Sequence, residues 1–328
     1  MKSVWRSGIW LKKVVACMHK PTPVHHLGLD VGGTNLRLGV FSDVSLVEEI
    51  RFEANYSAIC KQYPPAEAWQ RILQVTADAI RPLLIKYPDL HAIGIGFPGF
   101  IDPNTGILAQ SPNLPGLQDV NLGQDLSALL GLNVRVENDA NAAAFGEFYQ
   151  LGQPAGGLLY VGLGTGVGAG LVVNGGVWVG HHGYALEAGH IIVVPEGRLC
   201  GCGNRGCVEQ YASATGIIQA YFEQTGQRLT AHAIALLAEA GDPQAQAVYA
   251  DAGSKLAQML ASVLKVIDVE NVLVGGGVVA AWPLMSAAFE QRLAHDLIPV
   301  LRGKIQLHIT RSGDIAGMLG AALLASKI

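Results

Sequence analysis

The sequence predicts an α/β protein of two similar halves with a ligand cleft between them. Two observations carry this reading. A glycine-rich turn flanked by alternating apolar residues opens each half, and each half then runs into helix-period segments and further short apolar strands. Size is the third. At 328 residues the chain exceeds the length at which single cores stop growing, and with 50% hydrophobic and 15% charged residues it can bury a substantial interior.

The elements follow in order. Met1 to Lys20 mixes Lys2, Arg6, Lys12 and Lys13 with Trp5, Ile9, Trp10 and Leu11. Lys12 and Lys13 interrupt the apolar core that a signal peptide needs, so residues 1–24 read as a disordered or loosely docked extension, with Met18 as an alternative start. Leu27 to Asp30 and Leu36 to Phe41 alternate on either side of Val31-Gly32-Gly33-Thr34-Asn35, which predicts a β-hairpin. Pro64-Pro65 precede, and Pro88 follows, a helix marked by Trp69, Ile72, Leu73, Ile80, Leu83 and Leu84. Ala92 to Phe97 is a strand ended by Pro98-Gly99, and Ile101 to Gly116, rich in Pro, Asn and Gly, reads as a loop.

A strand over Asn133 to Val136 leads through Glu137-Asn138-Asp139-Ala140-Asn141 into an Ala-rich helix over Ala142 to Tyr149. Leu158 to Leu163, the turn Gly164-Thr165-Gly166-Val167-Gly168 and Ala169 to Val173 then repeat the hairpin. Leu256, Leu260, Val263, Leu264 and Ile267 mark a long amphipathic helix. It feeds a strand, Asn271 to Val274, and the turn Gly275-Gly276-Gly277. The chain ends in a helix, Asp314 to Ser326, where Gly317 and Gly320 allow close packing. This divides the chain into a small domain at 25–137, a larger one at 138–312 and a terminal helix at 313–328 that returns to the first.

Several function classes drop out. A net charge of −4 supplies no concentrated basic face for nucleic acid. No Gly-x4-Gly-Lys-Ser/Thr loop is present, and Gly164-x-Gly166-x-Gly168 has the wrong spacing for a dinucleotide fingerprint. The apolar stretches are too short, or too broken by glycine and charge, to span a membrane. Three of the five cysteines fall between Cys200 and Cys207, which suits metal-binding thiolates in a reducing, cytoplasmic setting better than a disulfide framework.

What remains is anion and metal chemistry. In the first turn the backbone of Gly32 and Gly33 and the side chains of Thr34 and Asn35 can converge on a phosphate, while Asp30 can hold Mg²⁺ directly or through water. Gly164, Thr165 and Gly166 can grip the other end of a triphosphate, with Gly276 in a third turn. Each turn alone also fits a plain hairpin; their matched positions in two halves favour a nucleotide held between them. Cys200-x-Cys202-x4-Cys207, with His190 upstream, offers the Cys₃His set of a closed structural zinc site. The competing reading is buried free thiols. Asn138 and Asp139 precede a helix and can serve simply as its cap. Equally, phosphoryl transfer to an alcohol needs a carboxylate to take the hydroxyl proton, and Asp139 is the candidate general base. Arg37, Lys255 and Arg311 read as solvated surface charges. The pairs His25-His26 and His181-His182 read as surface residues, since neighbours alternate faces on a strand.

Asp30 to Asn35, Glu137 to Asn141, Gly164 to Gly168, Glu187-Ala188-Gly189-His190 and the run Cys200 to Glu209 appear in the order seen in the ROK family (repressor, open reading frame, kinase), which the chain resembles from about His26 to its end. That resemblance implies a two-domain actin-like ATPase (ribonuclease H-like) fold, ATP with Mg²⁺, a hexose or N-acetylhexosamine substrate, and commonly a homodimer. It implies Asp139 as the catalytic aspartate. It gives His190 two jobs, one ring nitrogen on zinc and the other toward a sugar hydroxyl. Gly99, Asn113, Asn138, Glu187 and Glu209 would complete the sugar pocket. Glucose is the first expectation, with N-acetylmannosamine and N-acetylglucosamine as alternatives. Two readings without phosphoryl transfer are a sugar sensor, against which the aspartate speaks, and a sugar-responsive regulator. About 25 residues precede the first turn, too few for the three helices of a DNA-binding domain.

Overall fold

The structure, a computed structural model, describes residues 24–32, 35–102, 105–111, 114–313 and 315–327. The extension predicted at 1–24 falls outside the described residues but for Val24, as do Gly33, Thr34 and Asn113. The first half runs β1 (His25–Val31), β2 (Asn35–Ser42), β3 (Ser45–Glu53), α1 (Tyr56–Gln62), α2 (Pro65–Lys86), β4 (Ala92–Phe97), β5 (Phe100–Ile101), β6 (Leu108–Gln110), β7 (Gln118–Val120), α3 (Leu122–Leu130) and β8 (Asn133–Asn138). Helix α4 (Asp139–Gln150) leads into β9 (Leu158–Leu163), β10 (Val167–Val173) and β11 (Gly176–Val177). After these come α5 (Glu209–Ala212), α6 (Ala214–Thr225), α7 (Ala231–Glu239), α8 (Pro243–Ile267), β12 (Asn271–Gly275), α9 (Trp282–Asp296), β13 (Gln306–Ile309) and α10 (Ile315–Ser326).

The duplication read from the hairpins is visible in the sheets. One has the order β3-β2-β1-β4-β8, the other β11-β10-β9-β12-β13. In each, the central strand pairs antiparallel with its hairpin partner on one side and parallel with a later strand on the other. Among the described residues two large hydrophobic cores result, with smaller clusters around α4 and α10. Leu27, Leu29, Ile93 and Ile95 meet Ile72 and Ile80 of α2 in the first; Val161, Leu163, Val272 and Val274 belong with Leu256 and Leu260 of α8 to the second. Each such fully buried aliphatic side chain contributes about 1.5–3 kcal/mol.

Local chemistry explains the helix ends. Pro65 starts α2 at a position whose N–H has no intrahelical partner. Asp242 caps α8, accepting the Ala245 N–H at 2.7 Å, and the helix stops at Asp268, which has φ 48°. The terminal helix is apolar on every side, and it is buried on every side. It lies on β1 and β4 of the first sheet and against α4. The approach to the sheet is so close that a Cβ on Gly28 or Gly94 would run into the carbonyls of Met318 or Ala321.

One expectation is corrected. The segment read as a loop over Ile101 to Gly116 contributes to a three-stranded meander, β5-β6-β7. Its first turn is built by Asp102, whose carbonyl accepts the Gly106 N–H at 2.8 Å and whose side chain accepts the Thr105 N–H at 3.2 Å. Strands of two and three residues are too short to leave an alternating pattern among so many turn formers. Among the described residues no helix is long and apolar enough to cross a membrane.

Candidate active site and metal cluster

Strand β8 passes into α4 without a loop, at Asn138 and Asp139. The cap belongs to Asn138. Its Oδ1 accepts the N–H groups of Ala140 (3.0 Å) and Asn141 (3.1 Å), and its Nδ2 donates to the Gly99 carbonyl at 3.3 Å, leaving one amide N–H for any other partner. Asp139 is therefore not needed to start the helix. Its Oδ1 accepts the Ala140 N–H at 2.8 Å, and among the described residues no donor is bonded to Oδ2. Burial raises this carboxyl above the ordinary aspartate range, and backbone N–H groups of Ala140 and of Asp139 itself pull partly against that. Asp30, Gly96 and Glu137 stand side by side across β1, β4 and β8. A Cβ on Gly96 would lie 3.7 Å from the Asp139 Cα, so Asp30 and Asp139 share one end of the first sheet.

The second hairpin reaches the same helix start from the other sheet. A Cβ on Gly168 would sit 3.0 Å from that of Ala140. The turn before it is closed by the Gly164 N–H on the Gly166 carbonyl at 3.0 Å. Helix α6 holds it in place, with the Ala214 N–H on the Gly164 carbonyl at 2.9 Å and Thr215 Oγ1 on the Thr165 carbonyl at 2.8 Å. Gly275 pairs with Gly162 in the sheet, and Gly276, with φ 87°, packs so tightly on the Leu163 carbonyl that a side chain would collide with it. The second and third glycine turns thus lie together. The first is closed by the Gly32 N–H on the Asn35 carbonyl at 2.9 Å.

A polar ring continues from Asp139. Glu209, at the start of α5, runs beneath the second turn; its Oε2 accepts the Val167 N–H at 3.1 Å, and a Cβ on Gly166 would strike it. Burial raises the Glu187 carboxyl, the negative charges of Asp139 and Glu209 push the same way, and His190 opposes them. His190 Nε2 lies 3.8 Å from Glu187 Oε2. The predicted Asp139, His190 and Glu209 therefore all lie near Glu187. Phe100, next to Gly99, and Tyr184, three residues before Glu187, meet edge to face at 5.5 Å and bridge the two halves beside this ring.

On its far side the ring joins a sulfur cluster. His190 Nδ1 and the sulfurs of Cys200, Cys202 and Cys207 all lie within 4.8 Å of one another. Tetrahedral zinc, with bonds of about 2.3 Å to sulfur and 2.0–2.1 Å to nitrogen, requires S···S edges of about 3.8 Å and S···N edges of about 3.6 Å. The Cys202–Cys207 separation is 3.7 Å, and Cys200 Sγ to His190 Nδ1 is 3.5 Å. The donor set fits that ion. Burial pushes the Cys207 thiol up to about 12, and its sulfur neighbours add to the effect, so a divalent cation would relieve a crowding that thiolates alone could not sustain. Among the described residues the other histidine pairs join no such cluster: His25 Nδ1 bonds Asp89 Oδ2 at 2.8 Å, and the rings of His181 and His182 meet edge to face at 4.6 Å.

Comparison with known proteins gives this arrangement its relatives. Residues 26–328 match the profile of the ROK family. The chain belongs to the ROK family. A glucokinase of Halalkalibacterium halodurans is 32% identical over 323 residues, covering 92% of this chain and 95% of that protein. An N-acetyl-D-glucosamine kinase of Escherichia coli (strain HS) is 32% identical over 315 residues, covering 91% and 98%. Among solved structures, a ROK family glucokinase from Streptomyces griseus in complex with glucose and AMPPNP superposes with a TM-score of 0.77 at 30% identity, covering 93% of this chain and 100% of that one. A ROK family transcriptional regulator, a homologue of the E. coli MLC protein, superposes at 0.81 with 26% identity, and the match spans 92% of this chain and 77% of the regulator.

The two-domain actin-like ATPase fold of ROK kinases is therefore the fold of this chain. Within this ROK protein, sequence reasoning passed over two contributors. Thr215 ties the second turn to α6; the signal was Ser213, which starts that helix by accepting the Gly216 N–H three residues on at 3.0 Å. The aromatic pair Phe100 and Tyr184 left no local signal, because its halves lie on separate parts of the chain.

Proposed function

We propose that this ROK-family sugar kinase transfers the terminal phosphoryl group of ATP to a hydroxyl of a hexose, with glucose as the first substrate and N-acetylglucosamine or N-acetylmannosamine as alternatives. One observation carries the reading. Asp139 stands where the first sheet's edge, the second glycine turn and the Glu187–His190–Glu209 ring converge. A hydroxyl placed against its Oδ2 would be oriented by the ring and aimed toward the turns. The cleft lies between residues 25–137, joined by the terminal helix 313–328, and residues 138–312.

In this reading Gly32, Gly33, Thr34 and Asn35 hold one part of the triphosphate, and Gly164, Thr165, Gly166 and Gly276 hold another. The carboxylate of Asp30 is a hard oxygen donor of the kind Mg²⁺ takes together with water; bound there, the ion would offset phosphate charge. Asp139 accepts the hydroxyl proton as the oxygen attacks. Burial raises its pKa, which strengthens its basicity for that task. Gly99, Asn113, Asn138, Glu187, His190 and Glu209 bind the sugar. Cys200, Cys202, Cys207 and Nδ1 of His190 would hold a zinc ion, which would stiffen this wall of the pocket, and Nε2 of His190 would remain to donate to a hydroxyl.

A coupled assay of ATP consumption over a panel of hexoses and N-acetylhexosamines tests the proposal. Sugar-dependent turnover, ranked by kcat/KM, supports it and identifies the substrate. Sugar binding by calorimetry with no ATP turnover on any member would favour the sensor or regulator reading.

A further inference from the structure

Two helices exchange places between the halves. Helix α4 leaves β8 of the first sheet and packs on β9 and β10 of the second, while α10 leaves β13 of the second and packs on β1 and β4 of the first. They cross with backbones nearly touching. A Cβ on Gly146 would collide with the Ala316 carbonyl, and one on Gly320 with that of Ala142. The far end of each helix is tied to the root of the other. Arg135 of β8 donates to the Leu324 carbonyl near the end of α10 at 3.2 Å. Glu147, near the end of α4, accepts a hydrogen bond from Thr310 and, at 3.1 Å, shares the Ser312 hydroxyl with Gln150 of the same helix, both donors lying in the segment joining β13 to α10.

Glu147 is an unusual choice for this place. It is only 3% exposed, burial raises its carboxyl above the ordinary range, and the Thr310 and Ser312 hydroxyls pull against that. An apolar side chain would fill the space without the desolvation cost. Directional hydrogen bonds accepted by a carboxylate fix orientation, which apolar contact does not. The proposed base sits eight residues earlier on the same helix, about 12 Å away along a rigid axis.

We propose that Glu147 is a positioning residue for phosphoryl transfer: by holding Thr310 and Ser312 at the root of α10, it locks the two crossing helices into one hinge unit and sets where Asp139 stands relative to the second sheet's glycine turn. This rests on the reading of Asp139 as the base, and the experiment separates the two.

Thr310→Val/Ser312→Ala removes both donors and leaves α4 intact. Measured well below the melting temperature, kcat is expected to fall about 10- to 100-fold, the scale of a small misplacement of reacting groups. Sugar affinity by calorimetry is expected to stay within about threefold, since binding is not what the tie controls. Glu147→Ala should give the same loss, the combined variant no further loss, and Glu147→Gln, which can still bond both hydroxyls, most of the turnover back. Amide hydrogen exchange at residues 139–142 and 315–318, without any substrate, should quicken in the double variant. Normal kcat with unchanged exchange, even alongside a lower melting temperature, would overturn the proposal and leave Glu147 a core residue. If the wild-type protein phosphorylates no sugar, the function reading fails on its own, and the exchange measurement alone decides the hinge: faster exchange upholds it, unchanged exchange refutes it.

Discussion

Asp139→Asn separates chemistry from architecture at this site. The substitution keeps the side chain's shape and an oxygen for the Ala140 N–H, and the helix cap is made by Asn138, so α4 should start as before. What is lost is the ability to take a proton. A positioned general base contributes about 10²- to 10⁴-fold, so the barrier should rise by about 2.7–5.4 kcal/mol. Stability should move the other way. The native Asp139 has a raised pKa, so between the unfolded-state value and the native value the folded protein holds the extra proton, and stability falls as pH rises through that window. Above that window the carboxylate is charged in both states and is a net burden to the fold, which the neutral amide removes. A variant with turnover down at least about 100-fold, sugar affinity retained by calorimetry and a melting temperature equal to or above wild type is the expected result. Turnover within about threefold of wild type would refute the base assignment. A collapse of sugar affinity with turnover at saturation preserved would make Asp139 a binding residue instead.

Other consequences follow from the same geometry. Purified protein should carry one zinc per chain by elemental analysis. Cys207→Ser should lose it and lower the melting temperature by about 5 °C or more, while a wild-type protein free of zinc and equally stable would remove the metal from the fold. The acid limb of kcat/KM should lie above the ordinary aspartate range, activity being lost as pH falls and Asp139 takes up a proton; a profile that stays flat down to that range would mean that burial does not raise this carboxyl. Gly94→Val puts a side chain where the Ala321 carbonyl lies, so thermal denaturation should show a loss of about 1–3 kcal/mol, and an unchanged midpoint would mean that α10 sits less tightly on the sheet.

The sequence by itself determined what depends on short range. Leu158–Leu163 was legible to the residue because a short apolar run and the glycine turn that ends it are written within one segment, and Ala92–Phe97 was bounded by its own Pro-Gly. The cysteine cluster could be read from spacing, since a knuckle closes on itself. Tertiary structure decided what joins distant segments. Glu147 meets Thr310 across 163 positions, and Glu209 reaches Val167 across 42, with nothing in either neighbourhood to announce the partner. The motif Asn138-Asp139 allowed a cap and a base together, and only the direction of the side chains showed that Asn138 is the residue that caps the helix, leaving Asp139 to the proposed base role. The terminal helix, apolar all round, carried no facing pattern from which its neighbours could be inferred. Periodicity records which face of an element is buried; it does not record what buries it, and that is settled by backbone approach, as where Gly146 and Gly320 let two helices cross.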